Sequence, residues 1–229
     1  MSSTPPDAVA VPAADPGRPT APVKRGRGRP RSDGPTEAFL ARRAEIVDRA
    51  IDVFRERGFE SASLEDVAVS LAMSRASLYH YVPSKAHLLY LVFDRAISIA
   101  LDRMEALSAI VDPGERLAAL IDQQVRTIAD NQSMFDVFFG DRPALDPQFE
   151  AEIVAKERRL LRYLIEAVAA AQEAELIAPG DPRATAQAVL GMTSWLHKWY
   201  DPDRDDAAEY AEVCKRLVFS ADSAGRGAR

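Results

Sequence analysis

Apolar residues recur along this chain at the three- and four-residue spacing that lines one face of a helix, and rarely at the alternation of a strand. Leu40, Val47, Ala50, Ile51 and Phe54 share a face of a first helix starting near Thr36, and Gly58 stands as its C-cap. Ser63, with Asp66 three residues on, forms a capping box before the stripe Leu64, Val67, Ala68 and Leu71. Ala72-Met73-Ser74 is a turn, and Ser74 caps a short helix that ends near Tyr81. Pro83 stops that helix, and Ser84 opens a long one, 84–107, through Leu88, Leu89, Val92, Phe93, Ala96, Ile97, Ala100, Leu101 and Met104.

Downstream, Asp-Pro recurs at Asp112-Pro113, Asp146-Pro147, Asp181-Pro182 and Asp201-Pro202. Aspartate at the N-cap followed by proline at the first helical position is a start signal. The first three predict helices over 113–130, 147–177 and 182–200; the fourth precedes a last helix near 206–220, and a short apolar piece lies at 133–140. The predicted fold class is all-α.

The 229 residues suffice for one large or two modest helical domains. A single cysteine, Cys214, forms no internal disulfide, and no Cys/His spacing suggests a metal. The first residues lack the layout of a signal peptide, and no apolar run nears the ~20 residues that span a bilayer. A cytoplasmic setting without membrane contact, cofactor or metal is expected.

Net charge is −6, but residues 1–34 hold six cations and three acids, a net +3, which leaves −9 for residues 35–229. An acidic body repels nucleic acid, so any contact must be confined to a local basic patch. Residues 1–34 also hold seven of the fifteen prolines and too little apolar surface to order themselves.

Two short helices joined by a tight turn form a unit that lays its second helix in the DNA major groove. On that helix Ala76 and Ser77 are small enough for close approach, Arg75 can read guanine O6 and N7, and Tyr79 and His80 can reach phosphates. Ser63 and Lys85, at helix N-termini, offer further phosphate contacts. Singly, these residues would equally suit an ordinary helical hairpin with a solvated face. As an ordered string they resemble the tetracycline-repressor (TetR) family of bacterial regulators over residues 41–89, through Phe-x-x-x-Gly-Phe, Ser-x-x-Asp, Ser-x-x-x-Leu-Tyr-x-Tyr and Pro-Ser-Lys. Met73 departs from the family's frequent valine, and His87 replaces a usual acidic residue after the Ser84 cap.

Composition sets off a disordered, basic Pro-rich arm over 1–34, and the resemblance implies a three-helix helix-turn-helix DNA-binding domain over 35–83 and a C-terminal helical effector-binding and dimerisation domain over 84–229. It implies a homodimer on double-stranded DNA, its recognition helices ~34 Å apart on a near-palindromic operator. In the arm, Arg27-Gly28-Arg29-Pro30 resembles the AT-hook core, in which the two arginines lie in an A·T-rich minor groove. A solvated basic tail without sequence preference is the other reading of that run.

Residues 191–219 resemble a subgroup whose Trp-x-x-x-Trp-Tyr signature, here Trp195 to Tyr200, accompanies regulators of fatty-acid, sterol or branched acyl-CoA metabolism. Ser194 and Arg204 depart from the usual Asn and Gly. Ala188, Val189, Met192, Trp195, Leu196 and Trp199 make one apolar face, and Tyr210, Val213 and Leu217 another. Paired across two subunits they would form a four-helix interface; within one subunit they would close its core. Gly191 suits close helix approach.

An acyl-CoA or other apolar effector needs an apolar tunnel and cations. Phe135, Phe138 and Phe139 are candidate lining; Lys156, Arg158, Arg159 and Arg162 are candidate phosphate partners; Trp195 and Trp199 are further candidates for ligand contact. Core packing and a solvated charged face are the alternatives for these groups. The three scattered histidines, and the lack of a phosphate loop or nucleophile elbow, argue against an enzyme. The expected function is a repressor released by its effector through the long helix 84–107. An effector-independent architectural protein for A·T-rich DNA is the alternative, and a fully packed C-terminal domain would favour it.

Overall fold

Side-chain caps set most helix starts in the computed structural model, which describes residues 34–219. Thr36 Oγ1 accepts the Phe39 amide (3.2 Å) to open α1 (Glu37–Arg57), and Gly58, at φ 76°, closes it with an N–H donated to the Phe54 carbonyl. Ser63 caps α2 (Leu64–Ser70), Ser74 caps α3 (Arg75–Tyr81) and Ser84 caps α4 (Lys85–Ala106). The Asp-Pro pairs open α5 (Pro113–Asp130), α7 (Pro147–Glu173) and α8 (Pro182–Ser194), each aspartate accepting an amide of the first turn. Between α5 and α7 lies α6 (Gln132–Gly140), and α9 (Ala207–Phe219) ends the described chain. No strand occurs among the described residues, so the fold is all-α.

The differences from the sequence pattern have local causes. Leu40 is 42% exposed, because the first turn of α1 packs through its neighbour Phe39, which stacks on Tyr81 (4.9 Å). The stop of α7 comes early, where Glu175 adopts φ 55° and the Leu176 amide turns back to the Ala171 carbonyl (2.9 Å). In α8, the Thr193 hydroxyl donates to the Val189 carbonyl (2.9 Å), and from Trp195 to Lys198 the helix tightens to 3-10 winding. The turn between α2 and α3 places Ala72 at φ 51°, a left-handed conformation that costs an alanine ~1–2 kcal/mol. It is held by the Met73 amide on the Ala68 carbonyl (2.9 Å).

One continuous cluster of buried residues runs from Ile46 in α1 to Cys214 in α9. α4 packs against α5, α6 and α7; α7 also packs on α8, and α5 on α9. The pairing of α5 with α9 is reinforced by Lys215, whose ammonium meets Asp122 at 2.9 Å. No helix among the described residues is long and apolar enough to cross a membrane.

Candidate functional site

Four of the expected DNA-contacting residues, Ser63, Arg75, Tyr79 and Lys85, converge on one surface concavity of about 540 Å³, beside Glu65 and Ser84. The N-termini of α2 and α4 both open at it, bringing unpaired amide groups and the positive ends of two helix dipoles to one place. Arg75 lies over the Tyr79 ring (5.5 Å) and donates to its hydroxyl (3.3 Å), which pre-orders both exposed side chains. Ala76 and Ser77 are exposed beside them on α3. Ser77 is also part of the helix cap, its amide donating to Ser74 Oγ at 3.1 Å. The His80 ring meets Phe39 edge-on (5.7 Å) and so braces α3 against α1.

Two of these residues have a structural task in addition. Ser63 accepts the Asp66 amide (3.2 Å) and donates its hydroxyl (2.7 Å) and its own amide (2.9 Å) back to the Asp66 carboxylate. These bonds from Ser63, then the Arg57 charge, hold the Asp66 carboxyl below its usual range. Lys85, expected to reach outward to a phosphate, folds back instead: its ammonium donates to the carbonyls of Phe59 (2.8 Å), Glu60 (3.1 Å) and Ala62 (3.0 Å) and lies 4.4 Å from the Phe59 ring centroid. All three ammonium protons are thereby used to hold the α1–α2 connection onto the start of α4. The arm residues Arg27 and Arg29 lie outside the described residues.

A second site lies in the C-terminal helices, where a mostly apolar cavity of about 440 Å³ is bounded by α4, α5, α6, α7 and α8. Phe135, Phe138 and Phe139 line it as expected, and Arg158 is the expected cation that reaches it. The other expected ligand residues do not. Arg162, a turn further along α7 and about 40° round the axis, borders a separate hollow with Arg159, Tyr163 and Glu166. Lys156 pairs with Asp94 and donates to Ser98 (3.1 Å), and Arg159 pairs with Glu105 (2.8 Å), so both pin α7 to α4. Trp195 and Trp199, 62% and 40% exposed, begin and follow the 3-10 turn and lie outside the cavity lining. Gly191 lines the cavity, yet a Cβ there would meet nothing within 4 Å, so no helix among the described residues packs closely against it.

The sequence pattern missed Gln124, Glu157 and Gln187 in the lining. Glu157 is neutralised by Arg142, whose guanidinium donates to both its carboxylate oxygens (2.9 and 3.0 Å). Gln124 carried a legible signal, a polar residue within the buried stripe Leu117, Leu120, Ile121, Val125 and Ile128.

α6 joins the two sites. Its aromatic residues form one wall of the cavity, while Ser133 at its start accepts a hydrogen bond from Arg55 of α1 (2.8 Å). At its other end, burial raises the Asp141 carboxyl, and the Phe59 backbone amide opposes that rise. Phe59, whose carbonyl Lys85 holds, lies in the loop that leads into α2. α4 contributes Ile97 and Ala100 to the cavity from its middle, and its Phe93 packs on Phe138 at 5.0 Å.

Known proteins resemble this chain in sequence and in fold. AibR, solved in complex with isovaleryl coenzyme A and operator DNA, is 26% identical and superimposes with a TM-score of 0.72 over 79% of this chain and 99% of that one. PfmR, a TetR family transcriptional regulator from Thermus thermophilus, is 26% identical, with a TM-score of 0.73 over 77% of this chain and 97% of that one. The biofilm operon icaADBC HTH-type negative transcriptional regulator IcaR of Staphylococcus aureus (strain Newman) is 31% identical over 58 residues, 25% of this chain. That match spans 29% of IcaR, so this chain covers under a third of the length of the curated relatives it matches. The model for bacterial regulatory proteins of the tetR family matches residues 46–91, and that for the tetracyclin repressor-like C-terminal domain matches residues 111–221. With the recognition unit and the cavity-bearing helices both matched, the chain belongs to the TetR family of bacterial transcriptional regulators.

Proposed function

We propose that this protein is a repressor that binds a near-palindromic operator as a homodimer and is released by an apolar small molecule, an acyl-CoA thioester. The observation that carries this reading is α6, with aromatic residues in the cavity and a hydrogen bond from Arg55 of α1 to Ser133 at its start. A ligand that displaces the Phe138 and Phe139 wall moves α6, and with it Arg55 of α1. Only the difference in ligand affinity between the two arrangements shifts the equilibrium, so the ligand must fit the non-binding arrangement better.

In the bound state α3 enters the major groove with Arg75, Ala76 and Ser77 at base edges and Tyr79 and His80 at the backbone. The amide groups around Ser63 and Lys85 take phosphates, and Arg27 and Arg29 follow the adjacent minor groove. The second subunit covers the exposed side of α8 and α9, where Trp195, Trp199 and Leu217 are 62%, 40% and 63% exposed. Arg158 supplies charge to the ligand's acidic end, the apolar lining holds its chain, and AibR offers a precedent for a coenzyme A thioester in this fold. The apolar cavity favours this reading over a constitutive architectural protein, which needs no such hollow.

Footprinting on the DNA upstream of its own gene tests it. The expected pattern is two protected half-sites one helical turn apart, occupied by two chains and lost on adding an acyl-CoA. Diffuse protection of A·T-rich tracts, indifferent to every acyl-CoA, would return the architectural reading.

A further inference from the structure

Gln124 is the one uncharged polar side chain of the α5 stripe whose own bonding is incomplete. Its neighbours are satisfied: Thr127 donates to the Gln123 carbonyl (2.7 Å) and accepts from the Gln123 side-chain amide (3.2 Å). Gln124 is 6% exposed, lines the cavity among Phe135, Phe138 and Leu160, and its Oε1 is buried without a hydrogen-bond partner. A leucine at this position would fill the space without desolvating an amide, so a glutamine here weakens the empty protein. An acceptor held in an apolar cavity acquires a use when a bound molecule brings a donor to it, because any molecule lacking that donor leaves the acceptor unpaired.

We propose that Gln124 is the specificity-determining residue of this cavity, selecting molecules that carry a hydrogen-bond donor, a hydroxyl or an amide N–H, part-way along an apolar body. The assignment rests on the reading of the cavity as the effector site. Within acyl thioesters the donor has two sources. A hydroxyl on the acyl chain is one, and the coenzyme A arm, with its amide N–H groups and its own hydroxyl, is the other; a plain saturated acyl chain supplies neither.

Four probes separate these sources by calorimetric titration of the full chain: octanoic acid, 3-hydroxyoctanoic acid, octanoyl-CoA and 3-hydroxyoctanoyl-CoA. Each is measured on the wild type and on Gln124→Met, which conserves volume and removes the amide. Loss of affinity in the variant of roughly 3- to 10-fold, for donor-bearing probes only, is the expected result. Confined to the two hydroxylated probes, the loss assigns the acyl hydroxyl; shared by both thioesters and absent from both free acids, it assigns the coenzyme A arm. Equal affinities of variant and wild type for all four overturn the assignment and leave the effector reading standing. Failure of all four to bind the wild type overturns both. Thermal unfolding gives an independent check: Gln124→Met should leave Tm unchanged or raise it, whereas a lowered Tm would make Gln124 a structural residue and overturn the assignment.

Discussion

Replacing Lys85 by methionine removes one ammonium and keeps the unbranched apolar stem, so its effect isolates the three hydrogen bonds to Phe59, Glu60 and Ala62. Phe59 and Ala62 are 7% and 3% exposed, and the carbonyls left behind are poorly placed to recover water. A hydrogen bond to a charged group is worth about 1.5–3 kcal/mol. Three bonds from one ammonium are not additive, and the Glu60 contact is exposed, so the whole clamp, with the Phe59 ring contact, contributes about 2–3 kcal/mol. For a chain of this size that loss lowers Tm by roughly 5–10 °C. The connection it anchors leads into α2, so operator affinity should fall at least about tenfold while ligand binding in the cavity is retained. Lys85→Arg should be intermediate, because a planar guanidinium cannot aim three donors at converging carbonyls. Thermal unfolding by circular dichroism and operator binding by anisotropy read the two effects. An unchanged Tm with reduced DNA affinity would refute the clamp and return Lys85 to a direct phosphate contact.

Three further perturbations address other parts of the molecule. Glu65 faces the concavity that Ser63, Arg75 and Lys85 share, so Glu65→Gln should tighten operator binding by about two- to fivefold at low salt, and weaker binding would remove that surface from the DNA. Burial, then the Arg43 charge, hold the His87 imidazole below its usual value. The unfolded chain therefore binds this proton at higher pH than the folded chain, and stability falls as pH drops from about 6.5 toward the folded value. His87→Phe should flatten the decline in Tm over that window; an unaltered decline would place the acid sensitivity in other groups. Leu217→Asp alters a side chain 63% exposed within one chain, so sedimentation should show monomers with little loss of helix content, and a dimer of undiminished strength would move the subunit contact elsewhere.

Helix starts were legible because they rest on local chemistry. Each of the first three Asp-Pro pairs opens a helix with its aspartate accepting an amide of the first turn, and no tertiary contact is needed to specify that. The capping box at Ser63 and the left-handed Gly58 were legible for the same reason. Helix ends were less so: Glu175 and Ala72 adopt positive φ without being glycine, held by surrounding hydrogen bonds that the residue types do not announce. Seven of the expected DNA-contacting residues come from the one stretch 63–85, and four of them meet at one concavity. The cavity draws on five helices, so of its lining only the clustered aromatics of α6 and Arg158 of α7 were expected in advance. Which cations of α7 face inward depends on partners outside the helix: Asp94 and Glu105 of α4 engage Lys156 and Arg159, and Arg158 alone of the four reaches the lining. The Trp195–Trp199 pair lies on and just after the 3-10 turn that follows α8, outside the cavity lining.

The coupling of cavity to DNA is tested most directly by operator affinity measured with and without the tightest-binding acyl-CoA of a chain-length panel. Anisotropy titrations should give a Kd about 5- to 150-fold weaker at saturating thioester, and Leu161→Trp, which fills the cavity, should make the affinity indifferent to it. An operator Kd that stays the same while the thioester is shown to occupy the wild-type protein would contradict the account.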